Sequence, residues 1–172
     1  MYLKNFKFCL FVLLASFFSF VNSHAVAQES VSENSNFQVY KVWSDANADL
    51  NNAIKFAQKH NKHIVVFVGG NWCVWCKRLH YFMKSSLLIE KELNNYVVLH
   101  INFSKENKNE AILAKFNNPQ QFGFPVTVVL DQNGKYLFTQ PSSDWEEGKS
   151  YNEVKIADFL KQWTFKSINK KK

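Results

Sequence analysis

Glycine and proline are scarce in this chain, at five and three of 172 residues, which excludes a collagen-like repeat and a Pro/Gly-rich low-complexity chain. Cysteine is scarce too, at three, and there is no second cysteine pair to complete a four-thiolate structural zinc site. The longest apolar run, Phe8 to Val21, is 14 residues interrupted by Ser16 and Ser19, short of the roughly 20 apolar residues that cross a bilayer. Internal repeats and a second domain are not visible. What is present, 47% hydrophobic and 20% charged residues, is the make-up of one soluble globular domain.

Lys4 and Lys7, the apolar run after them and the small residues Ala25-Val26-Ala27 read together as a secretory signal over 1–27, cleaved before Gln28; the competing reading is a retained anchor. Cys9, inside the apolar run, is lost with it. Cleavage leaves 172 − 27 = 145 residues and removes two lysines and no acids, so the net charge falls from +7 to 19 − 14 = +5. Four of the remaining lysines, Lys166, Lys170, Lys171 and Lys172, crowd the tail at 165–172, which reads as a solvated end and not a nucleic-acid arm. A periplasmic or secreted protein is expected, with no nucleic-acid partner.

Residues 28–36 are a polar lead-in, and a single domain is expected over 37–164. A first short strand is predicted at Phe37 to Val42. Ala46, Leu50, Ala53, Ile54 and Ala57 recur at helical spacing up to about His60, and His63 to Val68 is a compact β-branched run suited to a strand buried on both faces. Helices are predicted from the cysteine pair past Met83 and over Leu87 to Leu93. A strand at Tyr96 to Asn102, a helix at Asn107 to Phe116 and a strand at Val126 to Leu130 follow. Asp131-Gln132-Asn133-Gly134 is a hairpin turn into Lys135 to Thr139. Pro141 to Lys149 reads as a polar loop, and the last helix is capped by Asn152. The alternation implies an α/β domain with a mixed sheet flanked by helices on both faces.

The chemistry-bearing residues follow the buried strand: Trp72-Cys73-Val74-Trp75-Cys76-Lys77. A Cys-x-x-Cys at a strand-to-helix junction puts the first sulfur beside unpaired helix N–H groups and the positive end of the helix dipole, which stabilises a thiolate. Cys73 is therefore the expected nucleophile on a substrate disulfide, and Cys76 resolves the mixed disulfide. Lys77 adds positive charge near Cys73. Metal binding is the chemical rival, since His80 lies four residues after Cys76, although a zinc site would need one ligand more. Covalent haem attachment is excluded because Lys77, not His, follows the second cysteine. No bound cofactor or metal is expected.

On these residues, with Phe122-Gly123-Phe124-Pro125-Val126-Thr127-Val128-Val129-Leu130-Asp131 further on, the chain resembles the thioredoxin superfamily. It looks most like the short exported thioredoxin-like proteins related to the periplasmic C-terminal domain of transmembrane thiol-disulfide reductases. The resemblance covers roughly Phe37 to Trp163 and implies a thioredoxin fold with Pro125 as a cis-proline facing the cysteines. It further implies that the Phe124 backbone pairs with a substrate strand, and that Trp72 and Trp75 wall the sulfurs, Trp75 being the more substrate-facing.

Two departures stand out. Thioredoxins carry a buried Asp six residues before the first cysteine, where this chain has Phe67, and His80 is the candidate replacement. The Gly-Pro between the cysteines of thioredoxins is Val74-Trp75 here, so the direction of electron flow does not carry over. Only 48 residues separate Cys76 from Pro125, too few for the inserted helical domain of periplasmic oxidases, and a monomer is expected. The resemblance points to an exported thiol-disulfide oxidoreductase acting on disulfide-containing exported proteins and fed by a membrane thiol-disulfide electron donor. The alternatives are a thioredoxin-fold polypeptide-binding module without essential redox activity, and a copper or zinc handler using Cys73, Cys76 and His80.

Overall fold

A computed structural model describes residues 38–170. The expected signal segment and lead-in lie outside the described residues. The elements run in the order α1 (Ala46–His60), β1 (His63–Gly69), α2 (Val74–Ser85), α3 (Leu87–Leu93), β2 (Tyr96–Asn102), α4 (Glu110–Ala114), β3 (Val126–Leu130), β4 (Tyr136–Pro141), β5 (Glu146–Glu147), β6 (Ser150–Tyr151), α5 (Glu153–Gln162) and α6 (Phe165–Asn169).

Four strands make one sheet in the order β2-β1-β3-β4, with β1 and β2 parallel and β3 antiparallel to both β1 and β4. β1 is central and every one of its residues is buried, which is why it reads as an unbroken apolar run. The strand period of two divides its side chains between two cores. Ile64, Val66 and Val68 join Val126, Val128 and Leu130 under α1 and α4, whereas Val65, Phe67 and Val129 face α2, α3 and α5. Each Val, Ile or Phe so buried contributes about 1.5–3 kcal/mol.

Local chemistry sets the ends of the helices. Asp45 caps α1 by accepting from the Asn47 and Ala48 amides, and Asn61 closes it in a left-handed conformation, φ 51°. Asn152 caps α5 by accepting from the Lys155 amide at 3.0 Å, as its sequence position suggests.

Four expectations change. No strand forms over residues 38–42; the Asn71 side chain instead accepts from the Tyr40 amide at 3.1 Å and donates to the Tyr40 carbonyl at 2.7 Å. Both backbone groups that a sheet ladder would use are thereby taken up. The helix expected from Asn107 to Phe116 shrinks to α4, because the asparagines before it bond locally: Asn109 is left-handed at φ 51° and donates to the Asn102 carbonyl at 2.8 Å. The polar loop after Pro141 is ordered by a 3-10 turn at Ser142–Trp145 and the β5/β6 hairpin, which bury Trp145 and Tyr151. The tail also holds structure, since Thr164 caps α6 by accepting from the Ser167 amide at 3.1 Å.

Candidate active site: a cysteine pair at a helix start

β1 ends at Gly69, and four residues later Cys73 stands as the N-cap of α2. Its Sγ accepts from the Cys76 amide at 3.0 Å, one of the donors that a helix start leaves without an intrahelical partner. Cys73 and Cys76 are joined as a disulfide with their Cα atoms 5.2 Å apart. Cys73 is 6% exposed and Cys76 1%, so the first sulfur is the reachable one. After reduction the same N–H group and helix end face the Cys73 sulfur and favour its thiolate.

Gly69 makes this packing possible. A Cβ there would lie 2.6 Å from Cys76 Sγ and 2.8 Å from the Tyr40 hydroxyl. Tyr40, 1% exposed, packs with both cysteines, and Val39, Trp75 and Phe124 close around them. Burial pushes the Tyr40 phenol above its ordinary range, with the charge of Tyr151 acting in the same sense, so it sits neutral beside the sulfurs.

The Phe124–Pro125 peptide is cis and Pro125 is buried. The antiparallel register pairs Val68 with Val126, so Pro125 follows on toward Gly69, the residue whose Cα packs against Cys76 Sγ. Proline brings no N–H that would need a partner there.

The two tryptophans stand in different surroundings. Trp72 is the exposed one, at 58%; its Nε1 donates to the Phe103 carbonyl at 2.7 Å and its ring meets Phe124 edge-on at 5.6 Å. Trp75 is half-buried beneath Arg78, whose Cζ lies 4.3 Å from the ring centroid, and its carbonyl accepts from the Tyr151 hydroxyl at 3.1 Å. Phe103, its ring tilted at 33° against that of Phe124 with centroids 4.9 Å apart, extends the aromatic wall. Trp72, Phe103, Ser104, Lys105, Glu106 and Lys108 line a cleft of about 490 Å³ on this side.

Lys77 is exposed, and its amide donates to the Cys73 carbonyl at 3.2 Å. His80 is half-buried with its ring 5.8 Å from that of His100; burial first, then Lys84, hold its pKa below the usual imidazole range. Among the described residues no group of three or more His, Cys, Asp and Glu is arranged to hold a metal ion.

Tyr40, Asn71, Phe103, His100 and Tyr151 are the site neighbours that the sequence reasoning missed. Only Asn71, next to the motif, carried a local signal.

The arrangement can carry thiol-disulfide exchange: a reachable sulfur at a helix start, a second sulfur one turn on, and aromatic walls around them. A curated relative, the disulfide bond reductase DsbH of Chlamydia pneumoniae, is 27% identical over 93 residues, 46% of this chain and 52% of that protein. The chain thus spans about half the length of the curated relative it matches. Among solved structures, the disulphide isomerase of Xylella fastidiosa Temecula1 is similar over 73% of this chain and 96% of its own, with a TM-score of 0.65 at 20% identity. The oxidised C-terminal domain of Neisseria meningitidis DsbD follows, with 71% and 98% covered, a TM-score of 0.53 and 16% identity. These structural likenesses show the fold. The family model described as Thioredoxin-like domain matches residues 50–143, which is 94 of 172, and the chain belongs to that family.

Proposed function

We propose that this protein is an exported thiol-disulfide oxidoreductase that reduces or exchanges disulfides of other exported proteins through Cys73 and Cys76. The observation that carries this reading is the asymmetry of the pair: Cys73 caps α2 and is the more exposed of the two at 6%, while Cys76 is 1% exposed behind it. The Cys73 thiolate attacks the client disulfide and forms the mixed disulfide, and Cys76 displaces the client and closes the pair. The Phe124 backbone and the Trp72 and Phe103 rings hold the client chain alongside. Run backwards, the same steps oxidise a client.

The signal segment expected over 1–27 supports export, and a membrane thiol-disulfide donor would restore the dithiol. Among the described residues no helix is long and apolar enough to cross a membrane. The name of the Chlamydia pneumoniae relative favours reduction as the working direction.

A Cys76→Ser variant tests the mechanism. It is expected to accumulate mixed disulfides with client proteins that vanish on reduction and on further replacement of Cys73. No trapped species, together with unaltered activity of a double Cys→Ser variant, would mean that the fold binds polypeptides without using its sulfurs.

A further inference from the structure

Trp72 is exposed yet held in one orientation. Its Nε1 donates to the Phe103 carbonyl at 2.7 Å, and the indole lies so close over Gly70 that a Cβ there would stand 2.4 Å from Nε1 and 2.7 Å from Cδ1. Phe103 is anchored in turn, its amide donating to the Gly69 carbonyl at 2.6 Å. Ser104, Lys105, Glu106 and Lys108, which complete the cleft, belong to a loop closed by asparagines. Asn102 Nδ2 donates to the Asn107 carbonyl at 2.7 Å and to Ser104 Oγ at 3.1 Å, and Asn107 Nδ2 donates to the Val42 carbonyl at 2.8 Å. A cleft whose walls are fixed beforehand loses little binding energy to ordering them.

Phe124 joins this cleft to the sulfurs. It packs against Tyr40, Cys73 and Cys76, and its ring meets Trp72 edge-on at 5.6 Å and lies 4.9 Å from Phe103, centroid to centroid. Trp72 is also the residue directly before Cys73. A chain that brings a disulfide to Cys73 and runs along the Phe124 backbone therefore lies beside the walls of the cleft. At about 490 Å³ the cleft is within the roughly 300–1,000 Å³ of ligand pockets, which are lined by apolar and aromatic side chains with a few polar groups.

The polar lining is unequal in charge. Two lysines, Lys105 and Lys108, stand against one carboxylate, Glu106. Glu106 is already engaged, since the Ser104 hydroxyl donates to it and holds its pKa below the usual carboxylate range. Lys108 reaches Glu110 at 3.7 Å, but both side chains are more than half exposed, where water screens such pairs. The rim of this apolar cleft is therefore positive.

We propose that the cleft selects clients: it takes a large apolar side chain, aromatic above all, next to the client's reactive cysteine, while an acidic residue beyond it meets Lys105 and Lys108. This rests on reading Cys73 and Cys76 as an exchange pair. Phe103 and the two lysines are then specificity residues, touching the client chain and not the reacting sulfurs. Aromatic side chains are mostly buried in finished folds, so an open chain offers them to the cleft and a native client does not. The electron transfer itself is unchanged: two electrons pass from the dithiol to the client disulfide, and the two protons lost by the dithiol end on the client sulfurs.

The test is single-turnover oxidation of the reduced full-length protein by synthetic peptides whose one cysteine is joined to glutathione and flanked on both sides by phenylalanine and then aspartate. In comparison peptides alanine replaces phenylalanine, or lysine replaces aspartate. Each turnover closes the Cys73–Cys76 disulfide and releases peptide thiol and glutathione, measured by chromatography after acid quench. Every rate is divided by that of the same peptide with dithiothreitol, which removes the peptide's own reactivity. The phenylalanine peptide is expected to react at least about ten-fold faster than the alanine one. It should also react about three-fold faster than its lysine version at low salt, a margin that shrinks in about 0.5 M salt. Phe103→Ala should bring the phenylalanine-to-alanine ratio toward one. Should that variant fail to fold, Lys105→Glu combined with Lys108→Glu, both at exposed positions, should invert the preference between aspartate and lysine. Equal rates on the phenylalanine and alanine peptides, or on the aspartate and lysine peptides at low salt, overturn the assignment and leave the exchange pair in place. Absence of reaction with every peptide and with oxidised glutathione overturns the exchange reading itself.

Discussion

Replacing Gly69 by Ala probes the most crowded point of the site. The added methyl would stand 2.6 Å from Cys76 Sγ, 2.8 Å from the Tyr40 hydroxyl and 3.0 Å from Tyr40 Cζ, all below normal van der Waals contact. None of these neighbours is the free end of a flexible chain: the sulfur is tied into the disulfide, and Tyr40 is buried with its backbone held by Asn71. Overpacking of this kind costs about 1–3 kcal/mol. At roughly 4 °C per kcal/mol for a domain of this size, Gly69→Ala should melt about 4–12 °C below the native protein. Combined with Tyr40→Phe, which removes one of the clashing atoms, the loss should be less than the sum of the two single losses. Differential scanning calorimetry of the four oxidised proteins measures both quantities. A Gly69→Ala melting temperature within about 1 °C of native would refute the reasoning, because it would mean that the sulfur and the phenol yield freely.

The remaining predictions concern pH, anchoring and substrate. The imidazole of His100, held neutral with a pKa near 4, binds a proton in the unfolded chain below about pH 6.5 but not in the folded one. Its contribution to stability is therefore present above about pH 6.5 and lost as pH falls toward 4, on the order of 3 kcal/mol in all. Urea unfolding of the oxidised protein at pH 7 and 4.5 should show a drop that is smaller in His100→Gln, and an equal drop in both would contradict the burial argument. Asn71→Ala removes both hydrogen bonds to the Tyr40 backbone and should cost about 1–3 kcal/mol, with limited proteolysis cutting near residues 38–44 before the rest of the domain. Trp72→Ala, at a 58% exposed position, should change stability by less than about 1 kcal/mol while raising KM for a polypeptide disulfide; an unchanged KM would place the client elsewhere.

Legibility in the sequence followed how local each interaction was. β1 announced itself because a strand buried on both faces is apolar along nearly its whole length, from Ile64 to Val68 here. α1 and α5 did so because their caps and apolar stripes lie within a few residues of one another. The Cys-x-x-Cys could be assigned to a helix start for the same reason, since its main partner is the backbone of its own first turn. Residues 103–109 misled because asparagines that bond across the loop look, in sequence, like the start of a helix. The α6 segment was hidden by its lysines, although a Thr164 cap is enough to start a turn.

Spacing along the chain thus determined on its own the four strands of the sheet and the long helices, that the sheet is mixed, and where the two sulfurs stand on their helix. The tertiary structure alone decided what surrounds those sulfurs: Tyr40 and His100 arrive from segments more than 20 residues away on either side and meet at the cysteines or one strand over. It also chose which tryptophan faces outward, because Tyr151 and Arg78 cover Trp75 and leave Trp72 in the open. The reason is physical. Caps and periodicity are satisfied within a turn or two of backbone, whereas the neighbours of a buried atom are set by which strands pair and in what register.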